Sequence, residues 1–546
     1  MKALGIGVSD FKKIIKENYF YVDKTKLIEE LARDGAGVQL ITRPRRFGKT
    51  LNMLMLKYFY DIEEKEENRK LFNGLYIEKS DVISEQGKYP VIYISFRDIK
   101  ADSAEEMKSK LKNLISDLFE QYKYLRDKLS ERDRINFDKI YFGEEEGNYS
   151  NSLKNLCKYL KEYYNQEIIL LIDEYDTPMV SAYEGGYYDK IKTFFTTLYG
   201  SALKDNTYLK KAVLTGIMRI SKENIFSGLN NVKVNSILES KFSQHFGLTE
   251  EEVENSLKEY NLESKSEEVQ KWYNGYNFGG IRVYNPFSIT NFLDERKIMP
   301  YWVNTSSNAL ISKVLKEADS SIFEELTKLF QRETIEKTIN IYSNFGDLRN
   351  SEQIWYLLTN AGYLTPVEKI TYSKYSIKIP NEEVHSFFEE DFIRNFLGGV
   401  DNFDKILKYL VVGNFEDFTY ELERIFLTNV SCFDFSAEED EGYYHVFILG
   451  LLLALRRDYY IRSNRESGRG RYDLTLEPLD KKKLGLIIEF KAPKGEVDLE
   501  KESEKALKQI EENKYDVDLK DRGVESMLLI GMAFHKRDFK LSWKKI

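Results

Sequence analysis

The sequence predicts an α/β protein in three parts. Residues 1–247 read as a layered α/β domain, 248–399 as a mainly helical middle region with a small β element, and 400–546 as a unit of order α-β-β-β-α-β. Three observations predict this. Apolar strand-like runs alternate with helical periodicity from Gly37 to Ser221. The stretch "ITRPRRFGKT" (Ile41–Thr50) sits between one such strand and an apolar helix, and "IILLIDEYD" (Ile168–Asp176) ends another strand on carboxylates. Near the C-terminus, "YDLTLEP" and "LGLIIEFK" form two strand-like runs around a turn, followed by a helix and one more strand.

Taken in order, Asp23–Gly35 has helical periodicity and a glycine stop, and Gly37–Thr42 is a short buried strand. Lys49–Asp61 is an apolar helix, Tyr89–Asp98 a strand and Ala104–Leu129 an amphipathic helix. Glu167–Met179 opens with a strand apolar on both faces, as in the middle of a parallel sheet, and Leu209–Ser221 supplies another. Thr249 and Glu252 then cap a helix. The aromatic, turn-rich segment Trp272–Ser288 follows, either a packed linker core or a surface for stacking bases. Ala309–Leu358 reads as mostly helical and Gly362–Asn381 as a hairpin. The last unit runs helix (Tyr443–Arg457), strand (Tyr459–Ser463), strand (Tyr472–Pro478), turn (Leu479–Lys483), strand (Leu484–Lys491), helix (Leu499–Tyr515), strand (Ser526–Phe534).

A chain of 546 residues is too long for one hydrophobic core. With 42% hydrophobic and 31% charged residues it has the mix of a water-soluble protein. The net charge of −9 excludes a whole-chain basic footprint, so any nucleic-acid contact falls to local patches, Arg43/Arg45/Arg46 or Arg462–Arg471. Two cysteines, Cys157 and Cys432, and four histidines show no zinc or disulfide spacing; the cysteines read as buried thiols. The longest apolar run, Val446–Leu455, is about half the ~20 residues of a membrane span, and the N-terminus lacks a signal-peptide core. A cytoplasmic location without membrane contact is the expectation.

The standard phosphate loop, G-x-x-x-x-G-K-[ST], needs a glycine where this chain has Arg43. Gly48, Lys49 and Thr50 keep the second half: a helix N-terminus, a lysine for the β/γ-phosphates and a hydroxyl for Mg²⁺. Pro44 has no N–H to donate, so Arg45 and Arg46 are expected to supply charge where backbone donors are lost. Asp173, at a strand end, can support Mg²⁺ through Thr50 or a water, and Glu174 can polarise an attacking water. In "TGIMR", Thr215 can sense the γ-phosphate and Arg219 can stabilise charge. Together these residues predict a nucleoside-triphosphate site with Mg²⁺. An oligomer in which Arg219 or Arg46 reaches across subunits stays open.

The C-terminal constellation is different. Glu489 and Lys491 are two apart in a strand and so share a face, and a hairpin through Leu479–Lys483 brings Asp473 near them. Asp473 and Glu489 can hold Mg²⁺ against a scissile phosphate, and Lys491 can orient or activate water. Glu441 could add an acidic ligand from the first helix, with His445 beside it, in contact with substrate or packed against the sheet. Arg462, Arg465, Arg469 and Arg471 suit backbone phosphates, and Gln509 and Tyr515 can reach a substrate.

The stretches "NYFYVDKTKLIEEL", "ITRPRRFGKT", "LIDEYDTPM", "TGIMRISKENIFSGLNN", "WYNGYNFG", "VYNPFSI" and "YWVNTSSN" together resemble the bacterial AAA-ATPase-like family, over roughly Gly5–Asn308. In that family R-P-R-R-F-G-K-[ST] is the usual loop, so the resemblance implies an ATP-binding domain with this altered front. "EGYYH", "GRGRYD", "IIEFK" and "KALKQIEENKY" resemble the PD-(D/E)XK nuclease-like domain, of restriction-endonuclease-like fold, that commonly follows it. That resemblance matches Asp473, Glu489 and Lys491 to the D…E-x-K triad and Glu441 to an upstream acidic position; Tyr472 stands where the family usually has proline. The resulting expectation is an ATP-binding and ATP-hydrolysing domain coupled to Mg²⁺-dependent cleavage of DNA or RNA. The alternatives are a nucleotide-sensing switch, or a nucleic-acid-binding protein with a degenerate nuclease fold.

Overall fold

The computed structural model describes residues 1–220, 231–303, 325–326, 328–330, 332–339, 351–388, 400–429, 444, 448, 451–452, 455, 458–467, 470–493, 497–535 and 538–546. In space the chain gathers into two compact units, Met1–Leu310 with Glu336–Glu383, and Ile311–Ile335 with Val384–Ile546. The stretch expected to connect two domains therefore contributes to both.

The first unit is built on a parallel sheet of β1 (Val38–Thr42), β2 (Val91–Ser95), β3 (Ile168–Asp173), β4 (Leu209–Gly216) and β5 (Val232–Asn235), in the order β2-β3-β4-β1-β5. Parallel neighbours need long crossovers, and helices Lys49–Tyr60, Ala104–Gln121, Ser152–Tyr164 and Tyr188–Leu203 lie on them. β1 and β3 are buried at every residue, which is why their sequences run apolar without alternation. β4 lies between β1 and β3, with Ile41 paired to Thr215 and Ile172 to Leu214. The C-terminal ends of four strands thus come level: Thr42, Thr215, Asp173 and Ser95, the last paired with Asp173. Ligands of open parallel sheets bind beyond this edge.

The middle residues of this unit fold against its N-terminus. Thr249 and Glu252 form the expected capping box at the head of helix Glu250–Glu259. Leu248, Val253, Leu257, Tyr273 and Phe292 make a core into which Leu4, Phe20 and Val22 pack. A short hairpin, β6 (Tyr276–Phe278) with β7 (Ile281–Val283), follows. A second sheet holds β8 (Ile335–Thr338), β9 (Thr365–Lys369) and β10 (Lys374–Lys378), in the order β8-β10-β9. The β9–β10 hairpin lies where one is expected, but β8 falls in a stretch read as helical. Only four residues long, it takes its conformation from its place in the sheet; within the rest of that stretch, helix Ser351–Ala361 is present, while 309–324 and 340–350 lie outside the described residues.

The second unit carries β11 (Tyr459–Ser467), β12 (Gly470–Pro478), β13 (Gly485–Lys491), β14 (Met527–His535) and β15 (Asp538–Lys545) in sequential order. β13 and β14 are parallel, joined through helix Leu499–Asn513, and the other pairs are antiparallel. β15 is absent from the sequence expectation, although Phe539, Leu541 and Trp543 alternate with polar residues in it. Most of the expected helix Tyr443–Arg457, with Glu441 and His445, lies outside the described residues.

Helix Leu499–Asn513 packs unusually close to β14 because Gly531 has no side chain. A methyl group there would strike the Ser503 carbonyl and the Leu507 nitrogen. Gly531 pairs in register with Glu489, so this close approach also sets the height of the helix over that carboxylate. Gly531→Ala should therefore destabilise the C-terminal unit by about 1–3 kcal/mol through overpacking. The check is its urea midpoint; an unchanged midpoint would mean the helix can lift without cost.

Candidate active sites

In the first unit the phosphate-loop residues gather at the sheet edge. Gly48 adopts φ +81°, a left-handed conformation that glycine takes freely, and turns the chain into helix Lys49–Tyr60. This places Thr50 beside β3, where its hydroxyl donates to Asp173 Oδ2 at 2.7 Å. The Thr215 hydroxyl donates to Asp173 Oδ1 at 2.6 Å. Asp173 and Thr215 are wholly buried, and Thr50 is partly buried. Lys49 is nearly buried; its ammonium donates to the carbonyls of Arg43 (3.2 Å) and Pro44 (3.0 Å) and lies 3.3 Å from Glu174. Glu174 sits at φ +54°, a conformation uncommon for a non-glycine residue.

A cavity of about 510 Å³ opens over these groups. Arg45, Arg46, Gly48, Lys49, Thr50 and Glu174 line it; Asp173 and Thr215 lie behind its wall, and Arg219 is not part of the lining. The Arg219 backbone is held instead by the Tyr356 hydroxyl, which accepts from its N–H at 3.2 Å. Sequence reasoning missed Arg97 and Lys100, which also face the cavity, and the apolar wall formed by Val8, Phe20 and Phe287. Arg97 fell inside the expected strand Tyr89–Asp98; β2 ends at Ser95, which leaves Arg97 just past the strand end beside β3. It also missed Asp176, buried, whose Oδ2 accepts from the N–H groups of Ile217 (2.8 Å) and Met218 (3.0 Å). Burial, then the nearby Glu174 charge, pushes the Asp176 carboxyl up to about 6.

The altered front of the loop is a set of anchors. Arg43 is wholly buried, which removes it from any nucleic-acid patch. Its guanidinium donates to the carbonyls of Thr42 (2.7 Å), Asn235 (2.9 Å) and Lys241 (3.3 Å) and to Ser243 Oγ (3.3 Å), and lies over the rings of Phe246 and Phe278. Burial pulls it down to about 9. The Trp302 indole N–H donates to the Arg45 carbonyl at 3.1 Å, and Arg46 lies over the Phe287 ring at 4.9 Å. Tyr276 and Phe278 pack on Phe47, so these two aromatics of the turn-rich segment belong to the core and not to a stacking surface.

In the second unit the β12–β13 register pairs Leu474 with Ile488, and one step further sets Asp473 against Glu489. Asp473 accepts from the Phe490 N–H at 2.8 Å. Gln509 donates to Glu489 Oε1, and the Lys491 ammonium lies 3.6 Å from the same oxygen. Glu489 Oε2 is buried without a hydrogen-bond partner among the described residues. Burial, and then the Asp473 charge, pushes the Glu489 carboxyl up to about 8. Two carboxylates of which one keeps a buried, unpartnered oxygen suit a hard cation. Arg462 corrects an expectation: it is held in the sheet by Glu477 (2.7 Å) and Asp518 (3.5 Å). The side chains of Arg465, Arg469 and Arg471, and Glu441, lie outside the described residues.

Residues 5–226 match the family model described as predicted AAA-ATPase, and residues 439–544 match that of the PD-(D/E)XK nuclease superfamily. In sequence the chain is thus similar to an AAA-ATPase-like domain followed by a PD-(D/E)XK nuclease-superfamily domain. Among curated proteins, an uncharacterized protein in the vnfD 5′ region of Azotobacter chroococcum mcd 1 is 28% identical over 401 residues, 72% of this chain and 71% of the relative. Among the described residues, no helix is long and apolar enough to cross a membrane.

The anchor at Trp302 titrates. Its backbone N–H donates to Glu383 at 2.6 Å, and Ser288 donates to the other carboxylate oxygen at 2.8 Å. Burial pushes Glu383 from 4.5 up to about 7. The folded state then holds a proton that the unfolded state has released, so stability is full below pH 4.5 and falls as pH rises to about 7. The urea midpoint of the first unit should drop between pH 5 and 7.5, and that part of the drop should vanish in Glu383→Gln. An equal drop in both proteins would assign it to other groups.

Proposed function

We propose that the first unit binds and hydrolyses ATP, and that the second cleaves phosphodiester bonds of nucleic acid with Mg²⁺. The observation that carries the first half is the buried Asp173 carboxylate, held by Thr50 from the loop helix and Thr215 from β4. Backbone N–H groups at the head of helix Lys49–Tyr60, together with Lys49, Arg45 and Arg46, bind the phosphates. Thr50 and Asp173 offer hydroxyl and carboxylate oxygens that would hold Mg²⁺, which when bound draws charge from the β/γ-phosphates. Glu174, facing the cavity, orients the attacking water and accepts its proton; Thr215 holds Asp173 in place. Arg219 acts, in this reading, only if its side chain is brought to the terminal phosphate by a partner or a movement.

In the second unit Asp473 and Glu489, with Glu441 as a further candidate, would hold Mg²⁺, and Lys491 positions the water. Gln509 fixes the Glu489 carboxylate. DNA and RNA are both open as substrates. A second reading, a nucleotide-sensing switch, is favoured by the anchoring of the loop front on Asn235, Trp302 and Phe287, elements that a bound phosphate would move together.

Lys49→Ala should abolish ATP binding measured by calorimetry. Glu174→Gln should retain it and lose turnover by about 10²-fold or more. Absence of turnover in the parent protein, with binding intact, selects the switch. For the second unit, parent protein with Mg²⁺ or Mn²⁺ should nick DNA or RNA, and Asp473→Ala should not; equal cleavage by both would refute the assignment.

A further inference from the structure

Arg97 has no role in the reading above, yet it makes the shortest polar contact of the site. It stands two residues past the end of β2, the neighbour of β3, and the pairing of Ser95 with Asp173 brings it to the acidic strand end. Its Nη2 donates to the Thr50 hydroxyl at 2.5 Å and lies 4.0 Å from Asp173 Oδ2, the oxygen to which Thr50 itself donates. Among the described residues Asp173 is the only carboxylate within 4.0 Å of Arg97. About half of the Arg97 side chain is exposed, and it lines the cavity with Arg45, Arg46 and Lys49.

The Thr50 hydroxyl has one proton and two lone pairs. Its proton is given to Asp173 and a lone pair is taken by Arg97. A divalent cation held by Thr50 and Asp173 needs lone pairs of the same two groups, at about 2.0–2.1 Å for Mg²⁺. A guanidinium 2.5 Å from that hydroxyl would then stand within a few ångströms of the dication. Like charges that close repel strongly in a partly buried site. Arg97 and the cation therefore exclude one another. A displaced Arg97 has space in the cavity, where the natural sink for its charge is an anion: a guanidinium binds phosphate oxygens through two parallel N–H groups.

We propose that Arg97 is a displaceable cation on the Thr50–Asp173 pair, competing with the divalent metal there and moving to the terminal phosphate of the nucleotide as the metal enters. This rests on the nucleotide reading of the same cavity. It makes metal binding depend on a triphosphate that can take the arginine, so metal alone binds weakly and metal with ATP binds well.

The test uses full-length protein carrying Asp473→Ala and Glu489→Gln, so that the second unit contributes no metal site. Mn²⁺ binding is followed by electron paramagnetic resonance, without nucleotide and with ATP. Removing the arginine by Arg97→Ala should tighten binding of Mn²⁺ alone by about tenfold or more and shrink the gain that ATP confers; Arg97→Lys should fall between. Equal affinity for Mn²⁺ alone in parent and Arg97→Ala, including no detectable binding in either, overturns the inference. A fluorescent ADP in EDTA tests the underlying reading separately. Parent and Arg97→Ala should both bind it and Lys49→Ala should not. If the parent does not bind, the nucleotide reading fails; if it binds while Mn²⁺ affinities are equal, only the role of Arg97 fails.

Discussion

The first unit depends on one buried charge. Asp173 has no exposure to solvent, and an ionised carboxylate taken out of water costs several kcal/mol unless its oxygens are satisfied. Two hydroxyls satisfy them, one on each oxygen, from Thr50 and Thr215. These come from the loop helix and from β4, so the contact ties three segments distant in sequence. It requires β4 to lie beside β3 with its end at the same level, as the order β2-β3-β4-β1-β5 provides. The height of the loop over the sheet follows from this, and with it the positions of Lys49 and Glu174.

A second buried charge explains the unusual loop. Arg43 replaces a glycine, and the replacement does structural work away from the cavity: four oxygen acceptors and two aromatic faces enclose its guanidinium. The Asn235, Lys241 and Ser243 partners lie in the segment that follows β4, so the loop front is fastened to β5 and to what comes after it. Pro44, which donates nothing from its backbone, still offers its carbonyl to Lys49. The two arginines after it are the ones left facing the cavity.

The C-terminal unit uses the same physics with different parts. Glu489 is held between Gln509, Lys491 and Asp473, with one oxygen unpartnered among the described residues. Like charge and burial both oppose its ionisation, whereas a bound cation would favour it. Gly531, by letting the helix lie close, puts Gln509 within reach.

Much was legible in the sequence because it was local. The apolar runs of β1 and β3, the glycine at the helix head, the capping box at Thr249 and the two-residue spacing of Glu489 and Lys491 each follow from the period of one element. What the sequence determined, then, is which residue types stand at strand ends and helix heads: Lys49, Thr50, Asp173, Glu174, Asp473, Glu489 and Lys491. Only the tertiary structure decided who meets whom. Arg97 reaches Thr50 through strand order, Arg43 is buried by rings more than two hundred residues away along the chain, Arg462 is consumed by Glu477, and Arg219 is kept out of the cavity lining. Periodicity within an element fixes a side chain's face, but pairing between strands and the burial of charge depend on segments that share no local signal, and folding alone brings them into contact.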